Sequence, residues 1–388
     1  MKKTSLIFLC EIILKLYQSL LRPILFRLSS ETAHELGLKT LRLGLKPQTF
    51  RDIAKRRFSS SPFGNITRFG LKFSNPVGVA AGFDKNGIVA NGLEALGFGF
   101  VEVGTVTFHP QPGNPKPRLF RLPKDEALIN RAGFNNDGAE ALAQKLKLAR
   151  PSCVLGINIG KSKIVELENA VEDYLASFEI IYPHADYIAV NVSSPNTPNL
   201  RELQKADALS ELLAALQKRN KELSTQYHCA KKPLLVKIAP DLTRADLESI
   251  AGVALDKNLS GIIATNTTVS REGLRSSATE IAACGQGGLS GAPLRKHSTE
   301  IISAIYGLTQ GRLPIIGVGG IFNAEDAFEK IRAGASLVQL YTGLVYEGPT
   351  IAKRINNELF GIFNKHGFNN FDEVIGSEKQ SGKFKKTV

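Results

Sequence analysis

From residue 75 onward the chain repeats one pattern. A short, continuous, β-branched apolar run ends in Gly, Asn, Ser or Thr, and a helical stretch follows most such runs. Eight runs are readable: Asn75–Gly82, Phe100–Thr107, Cys153–Gly160, Tyr187–Ser194, Pro233–Pro240, Gly261–Thr267, Leu313–Gly320 and Ser336–Gly343. Apolar strands without polar alternation belong to a sheet covered on both faces, and their alternation with helices makes that sheet parallel. Eight such units predict a closed (β/α)8 TIM barrel of the α/β class over residues 60–365. An open doubly wound sheet is the alternative, but no G-x-G-x-x-G follows the first strand.

Residues 1–50 have a different character and are expected to form an N-terminal helical extension. Leu6, Leu9, Cys10, Ile13, Tyr17 and Leu20 recur at helical spacing, which predicts an amphipathic helix over residues 4–22. Glu11 and Lys15 lie four apart on its other side and can pair. Pro23 disfavours helix at Arg22, so a break is expected there. Ser30 is the expected N-cap of a second helix reaching Leu43, with Leu36, Thr40 and Leu43 on one side and Gly44 and Pro47 closing it. No apolar run here approaches the ~20 residues of a spanning helix, and none is long enough for a secretory signal. Leu9 is not the small residue that precedes a lipidated cysteine. Two long connections, Phe108–Gly138 after the second strand and Thr268–Pro293 after the sixth, leave C-terminal strand ends and are expected to be lids or walls. Residues 376–388 are expected to be a disordered basic tail.

Composition adds little until charge is mapped. Of the 388 residues, 43% are hydrophobic and 22% charged, ordinary values for a globular chain. The net charge is +13, and residues 1–57 hold twelve Lys/Arg against four acids, so +8 of it lies in the N-terminal segment. Wide apolar faces with basic flanks suit an anionic membrane surface; helices that merely cap the barrel are the alternative. Nucleic acid is not an expected partner, because the barrel itself is not the basic part. Cys10, Cys153, Cys229 and Cys284 are scattered and form no C-x-x-C pair, so neither a metal centre nor a disulfide framework is expected.

The strand ends carry the candidate chemistry. They deliver Lys85, Thr105, Asn158, Asn191, Ser194, Lys237, Thr265 and Asn266 toward one face. Amides, hydroxyls and two lysines suit a planar, carbonyl-bearing, negatively charged ligand, and offer no metal-ligand cluster. Strands seven and eight end in Gly317-Val318-Gly319-Gly320 and Tyr341-Thr342-Gly343, where barrels often hold phosphate; a plain tight turn is the bland reading. Lys237 sits among Leu235, Val236 and Ile238, so it needs an anionic partner or a lowered pKa unless it reaches solvent at the rim. The run from Asn191 through Asn196 to Thr197 can offer amides and carbonyls to one ligand. Ser194 within it could be a nucleophile or a base. No histidine and no G-x-S-x-G elbow accompany it, which argues against a triad.

These residues form a series: AAGFDKNG (80–87), GFVEVGTVT (99–107), QPGNPKPRLFRL (111–122), NRAGFNN (130–136), GINIGK (156–161), NVSSPNTP (191–198), KIAPDL (237–242), ATNTT (264–268), GGLSG (287–291), GVGGI (317–321) and QLYTG (339–343). The series closely resembles that of the dihydroorotate dehydrogenase family, in order and spacing, over about residues 60–360. The resemblance implies FMN held by Ala81, Gly82, Phe83, Asp84, Lys85, Thr105, Asn158, Asn191, Lys237, Thr265, Gly288, Gly320, Tyr341 and Thr342. It implies dihydroorotate held by Lys85, by Asn130, Arg131, Ala132, Gly133 and Phe134, and by Asn191, Asn196, Asn266 and Thr267. Ser194 would take a proton from C5, after which a hydride leaves C6 for the flavin. Thr197 and Phe134 would belong to the route that carries the proton of Ser194 away.

Ser194 also sorts the chain within that family. By resemblance, the soluble classes use cysteine here, whereas the membrane-attached class uses serine, carries N-terminal helices and passes electrons to quinone. His34, Arg121 and Tyr341 would lie along the quinone tunnel, although His34 could equally be a surface residue of its helix. Attachment would be peripheral, on the cytoplasmic face of the inner membrane if the chain is bacterial, and the helix before Pro23 would be a further anchor. A hydroxyl is a poor base, so Ser194 must be screened from water and relieved of its proton by neighbours. The alternatives are another flavin barrel, such as tRNA dihydrouridine synthase, and a membrane-surface scaffold on a degenerate barrel.

Overall fold

The computed structural model of the protein describes residues 13–60 and 62–378. Eight parallel strands close into a ring: β1 (Val77–Val79), β2 (Phe100–Val106), β3 (Val154–Ile159), β4 (Tyr187–Asn191), β5 (Leu234–Ile238), β6 (Gly261–Ala264), β7 (Ile315–Val318) and β8 (Ala335–Leu340). They follow chain order around the ring, and β8 returns to pair with β1. All seven residues of β2 and all six of β3 are buried. Helices cover their outward side chains and the barrel interior takes the inward ones, which is why the sequence shows no alternation.

Two glycines explain how the lower barrel is filled. A Cβ on Gly78 of β1 would sit 2.5 Å from the ring of Phe100, and one on Gly156 of β3 would overlap the ring of Tyr187. Large rings facing bare backbone fill this level to core density, so the barrel can open only toward the C-terminal strand ends. Phe100→Ala would cost about 3–5 kcal/mol. A hairpin, Ile66–Arg68 with Leu71–Phe73, seals the opposite end. Its Phe73 meets Phe100 edge-on at 5.3 Å, and its Phe69 reaches Gly261 at the start of β6.

The N-terminal segment departs from expectation in three places. Helix continues through Pro23, because a π-helical turn at Tyr17–Leu21 precedes it. The wider turn makes room for the proline ring and absorbs its missing N–H. The break falls instead at Leu28, where the backbone becomes extended. The second helix runs from Ser30 to Gly44, and its cap is Ser29, whose hydroxyl accepts the N–H of Thr32 at 3.2 Å. A third helix, Gln48–Phe58, crosses the expected boundary between residues 50 and 60. It buries Ala54, and its Lys55 bonds Glu94 at 2.8 Å, so it belongs with the barrel wall. Residues 1–12, with Leu6, Leu9, Cys10 and the Glu11 partner expected for Lys15, lie outside the described residues.

The helix before Pro23 packs on the barrel. The hydroxyl of Tyr17 donates to the carbonyl of Val345 at 2.7 Å, and Arg22 donates to the carbonyl of Tyr346 at 3.0 Å. Its other side exposes Leu16, Leu20 and Leu21, the turn after Pro23 exposes Ile24, and the next two helices expose Leu36, Leu43, Phe50 and Ile53. No helix among the described residues is long and apolar enough to cross a membrane.

The two long connections meet in one element. Ala127–Asn130, after β2, lies between Leu119–Leu122 and Gly288–Gly291, which follows β6, in an antiparallel three-stranded sheet. This sheet roofs one side of the barrel mouth. Its four-residue strands pair across 158 positions of chain, so no local pattern announces it. The first residues of the expected tail are ordered instead: Gly376 and Ser377 are buried, and the N–H of Gly376 donates to the carbonyl of Ile331 at 3.1 Å. Residues 379–388 lie outside the described residues.

Candidate active site

A cavity of about 370 Å³ opens at the C-terminal ends of the strands. From β1 and its loop come Ala81, Gly82, Phe83, Asp84 and Lys85; from β2, Thr105; from β4, Asn191, Ser194 and Asn196; from β5, Lys237. The β6 loop gives Thr265, Asn266 and Thr267, and the last two loops give Gly320, Tyr341 and Thr342. The roof sheet and its continuation bring Asn130, Ala132, Gly133 and Phe134, and the Ser30–Gly44 helix brings His34.

The cavity floor rests on a directed chain of hydrogen bonds. A carboxylate only accepts, so Glu102 of β2 sets the direction. Asn158 Nδ2 donates to Glu102 Oε1 at 2.9 Å, Thr105 Oγ1 donates to Asn158 Oδ1 at 2.6 Å, and Asn191 Nδ2 donates to Thr105 Oγ1 at 2.9 Å. Tyr187 and Gln339 donate to Glu102 Oε2 at 2.8 and 2.9 Å. Asn191 Oδ1 is taken by the N–H and hydroxyl of Ser193, so Asn191 turns its remaining N–H to the cavity. Glu102 was not among the residues expected from sequence. A single acid inside an apolar strand run marks it, but its partners on β3, β4 and β8 are visible only in three dimensions.

Lys237 is 4% exposed, and its ammonium has no hydrogen-bond partner among the described residues. Burial pushes its pKa down, and Glu102 beneath it offsets part of that. Lys85 also lies in the cavity without such a partner; burial, then the charge of Arg118, press it to about 8. Two desolvated ammonium groups in one chamber call for an anionic or carbonyl-rich ligand. His34 meets Phe83 edge-on at 5.1 Å, and burial followed by the charge of Lys85 drives its pKa to about 4, so the ring is neutral near pH 7.

The far end of the cavity is built of backbone. Gly319 and Gly320 have φ of 127° and 70°, and a Cβ on Gly320 would sit 2.5 Å from Arg295 Cα. A Cβ on Gly343 would overlap the carbonyl of Ile321, so the β7 and β8 loops touch directly. The N–H groups of Gly320 and Ile321 have no hydrogen-bond partner among the described residues. Unpaired amides in a glycine concavity fit an anion such as a phosphate.

Ser194 is 5% exposed, and its Oγ accepts the N–H of Asn196 at 3.2 Å, which leaves its own hydrogen to be donated elsewhere. Asn196 Nδ2 donates to Asn130 Oδ1 at 3.1 Å. Asn266 Nδ2 donates to Ser193 Oγ at 3.0 Å.

Four of the sequence-derived residues stand back from the cavity wall. Asn158 lies beneath it, with its amide committed to Glu102 and Thr105. Gly288 supports Thr267, against whose hydroxyl a Cβ would collide. The Arg131 guanidinium lies over the Phe120 ring at 4.6 Å and bonds the carbonyls of Cys284 and Pro117. The Arg121 guanidinium lies over Phe26 at 4.5 Å and bonds the carbonyls of Leu25 and Leu28, joining the roof sheet to the N-terminal helices. Thr197, expected on the proton route rather than at the ligand, is buried and outside the cavity lining. Conversely, Glu31, Leu38 and Arg118 line the mouth without having been expected there. No cluster of His, Cys, Asp and Glu among the described residues could hold a metal ion.

The model of the dihydroorotate dehydrogenase family matches residues 65–363. The chain is 52% identical over 358 residues to a dihydroorotate dehydrogenase (quinone) of Gloeobacter violaceus, covering 92% of this chain and 98% of that one. It is 52% identical over 357 residues to the protein of the same description from Chloroflexus aurantiacus, covering 88% and 96%. A crystal structure of DHODH from Eimeria tenella in complex with ferulenol superposes with a TM-score of 0.83 at 40% identity, covering 90% of this chain and 96% of that one.

Proposed function

The chain belongs to the dihydroorotate dehydrogenase family, and from that footing we propose that its cavity holds FMN and dihydroorotate together, with Ser194 as the base. The enzyme is a quinone-dependent oxidoreductase that converts dihydroorotate to orotate in pyrimidine biosynthesis. The reading of the site rests on one observation: Ser194 and Lys237, from different strands and each nearly inaccessible, face the same chamber.

The phosphate of FMN would lie against the unpaired N–H groups of Gly320 and Ile321, and its ring system among Ala81, Gly82, Thr105, Asn191, Thr265 and Tyr341. Lys237 would supply the positive charge that a ring gaining electrons requires. Bound FMN would supply the two-electron acceptor that joins oxidation at C6 to reduction of quinone. Lys85 would hold the dihydroorotate carboxylate, and Asn130, Asn191, Asn196 and Asn266 its pyrimidine edge. Ser194 Oγ would take the C5 proton while its own hydrogen departs by way of the Thr197 hydroxyl, along a route that the Phe134 ring lines and shields from water. Burial under the roof sheet keeps water from competing for that proton.

Quinone would enter between the N-terminal helices and the barrel, past His34 and Tyr341. Exposed Leu20, Ile24, Leu36 and Leu43, with basic neighbours, would lie on an anionic membrane surface, making attachment peripheral. Anaerobic dihydroorotate should bleach the yellow flavin of the purified enzyme, and a quinone should restore it. Ser194→Ala should bind dihydroorotate yet lose most of the bleaching; near-normal bleaching removes Ser194 from the base role.

A further inference from the structure

We infer that Arg201 and Asp241 form a latch that positions the Ser194 loop, and that Arg201 is thereby a positioning residue for proton removal. This rests on the reading of Ser194 as the base. The guanidinium of Arg201 reaches three separate loops at once. Nε donates to the carbonyl of Ser193 at 3.2 Å, Nη2 to the carbonyl of Thr267 at 3.3 Å, and Nη1 to Asp241 Oδ2 at 3.0 Å.

Asp241, just past β5, completes the clamp. Its carboxylate also accepts the hydroxyl of Thr268 and the N–H of Val269, the latter at 3.1 Å. Thr268 exchanges two backbone hydrogen bonds with Leu289, at 3.1 and 2.7 Å, in the roof strand. The peptide that carries Ser194 is therefore gripped from two sides. Asn266 and Asn191, both in the cavity lining, hold the hydroxyl of Ser193 at 3.0 and 2.9 Å, and Arg201, outside that lining, holds its carbonyl. No atom of Arg201 or Asp241 lines the cavity, so the pair acts on the reaction only through the loops it joins. One planar cation spanning two carbonyls and a carboxylate fixes direction as well as distance, which a lysine could not reproduce.

The side chains of Arg201 and Asp241 are 26% and 20% exposed, so a small solute can reach the gap that truncation would leave. The test uses the intact flavoenzyme and separates its two half-reactions. Arg201→Ala should retain FMN and reoxidise with quinone at the normal rate once reduced chemically. Its reduction by saturating dihydroorotate should slow by about 10- to 100-fold, the scale of a displaced reacting group. Low millimolar guanidinium should restore much of that loss in Arg201→Ala and none in Ser194→Ala. Asp241→Asn should slow the same half-reaction, and the double variant should be no slower than Arg201→Ala alone. Normal reduction in Arg201→Ala beside impaired Ser194→Ala overturns the latch and leaves the base in place. Normal reduction in Ser194→Ala overturns the base reading itself. A loss in Arg201→Ala that spreads equally to quinone reoxidation and resists guanidinium marks general structural damage, and also overturns the latch.

Discussion

Glu31 and Arg118 meet at the cavity mouth, with Glu31 Oε1 accepting Arg118 Nη2 at 2.9 Å and Nε at 3.1 Å across 87 residues of chain. One belongs to the Ser30–Gly44 helix and the other to the stretch leading into the roof sheet. Burial raises the Glu31 carboxyl, but hydrogen bonds from Arg118 and then Lys116 more than offset this, so it stays ionised below the usual carboxylate range. The pair brackets Lys85 electrically: Arg118 pushes its pKa down and Glu31 pushes it back up.

Lys85 should therefore govern the alkaline limb of catalysis. In the substrate-free enzyme it loses its proton near pH 8, so kcat/KM for dihydroorotate should fall about tenfold per pH unit above that point. Glu31→Gln removes the offset and should move this limb to lower pH. Stability has the opposite sign. The folded pKa lies below the unfolded 10.5, so the unfolded chain binds more protons between about 8 and 10.5. The cost of burying this ammonium is then relieved as pH rises through that window. Initial-rate profiles and thermal unfolding of ligand-free protein over pH 7–11 read the two trends separately, the range following from the linkage relation.

Glu102→Gln should be strongly destabilising despite its near-identical shape. It removes the one charge that acts on buried Lys237 among the described residues and replaces an acceptor by a group that can donate into Asn158, Tyr187 and Gln339. A loss on the order of 3 kcal/mol is expected, visible as a lower unfolding temperature. Tyr187→Phe withdraws one donor to Glu102 and a longer, 3.3 Å acceptor for Gln339, leaves the charge in place, and should cost about 1 kcal/mol. Equal, small losses in both variants would remove Glu102 from its place as the anchor of the network.

Gly320→Ala places a methyl group against the backbone of Arg295 in a left-handed conformation. The β7 loop must shift, and FMN should dissociate at least 10-fold more readily, as followed by flavin fluorescence on dilution. Gly361→Ala, where a Cβ meets nothing within 4 Å, is the control.

Deleting residues 1–45 removes the helix that carries Glu31, His34 and Leu38, and with it one wall of the mouth. Flavin reduction by dihydroorotate should survive, whereas quinone-driven reoxidation and sedimentation with anionic vesicles should both be lost. Retention of quinone turnover would sever the N-terminal helices from the acceptor site.

The barrel was readable from sequence because each strand is a continuous apolar run, and most of the cavity-lining residues because they lie at or near one end of those runs. Lys237 stands out as a cation among Val236 and Ile238, and Ser194 as a hydroxyl in the polar run just past β4. Pairings across many residues were not readable. Nothing local ties Glu31 to Arg118 or Arg201 to Asp241, and four-residue strands such as Ala127–Asn130 carry too little pattern to be told from loop. Arg131 lies inside a conspicuous motif, yet its guanidinium turns from the cavity to Phe120 and the Cys284 carbonyl. Direction is decided by such distant partners rather than by neighbours in sequence. Pro23 misled because the rule for prolines presumes an ordinary α-helical turn, and a π turn stands before it.

The roof sheet also sets an order of events during translation. Leu119–Leu122 and Ala127–Asn130 leave the ribosome long before Gly288–Gly291 is synthesised to cover the remaining edge of the middle strand. Until then that strand presents unpaired peptide groups, the arrangement on which foreign chains add. A nascent chain stalled before residue 288 thus leaves 127–130 open on one side, alongside the edges of β6 and β1 that still await β7 and β8.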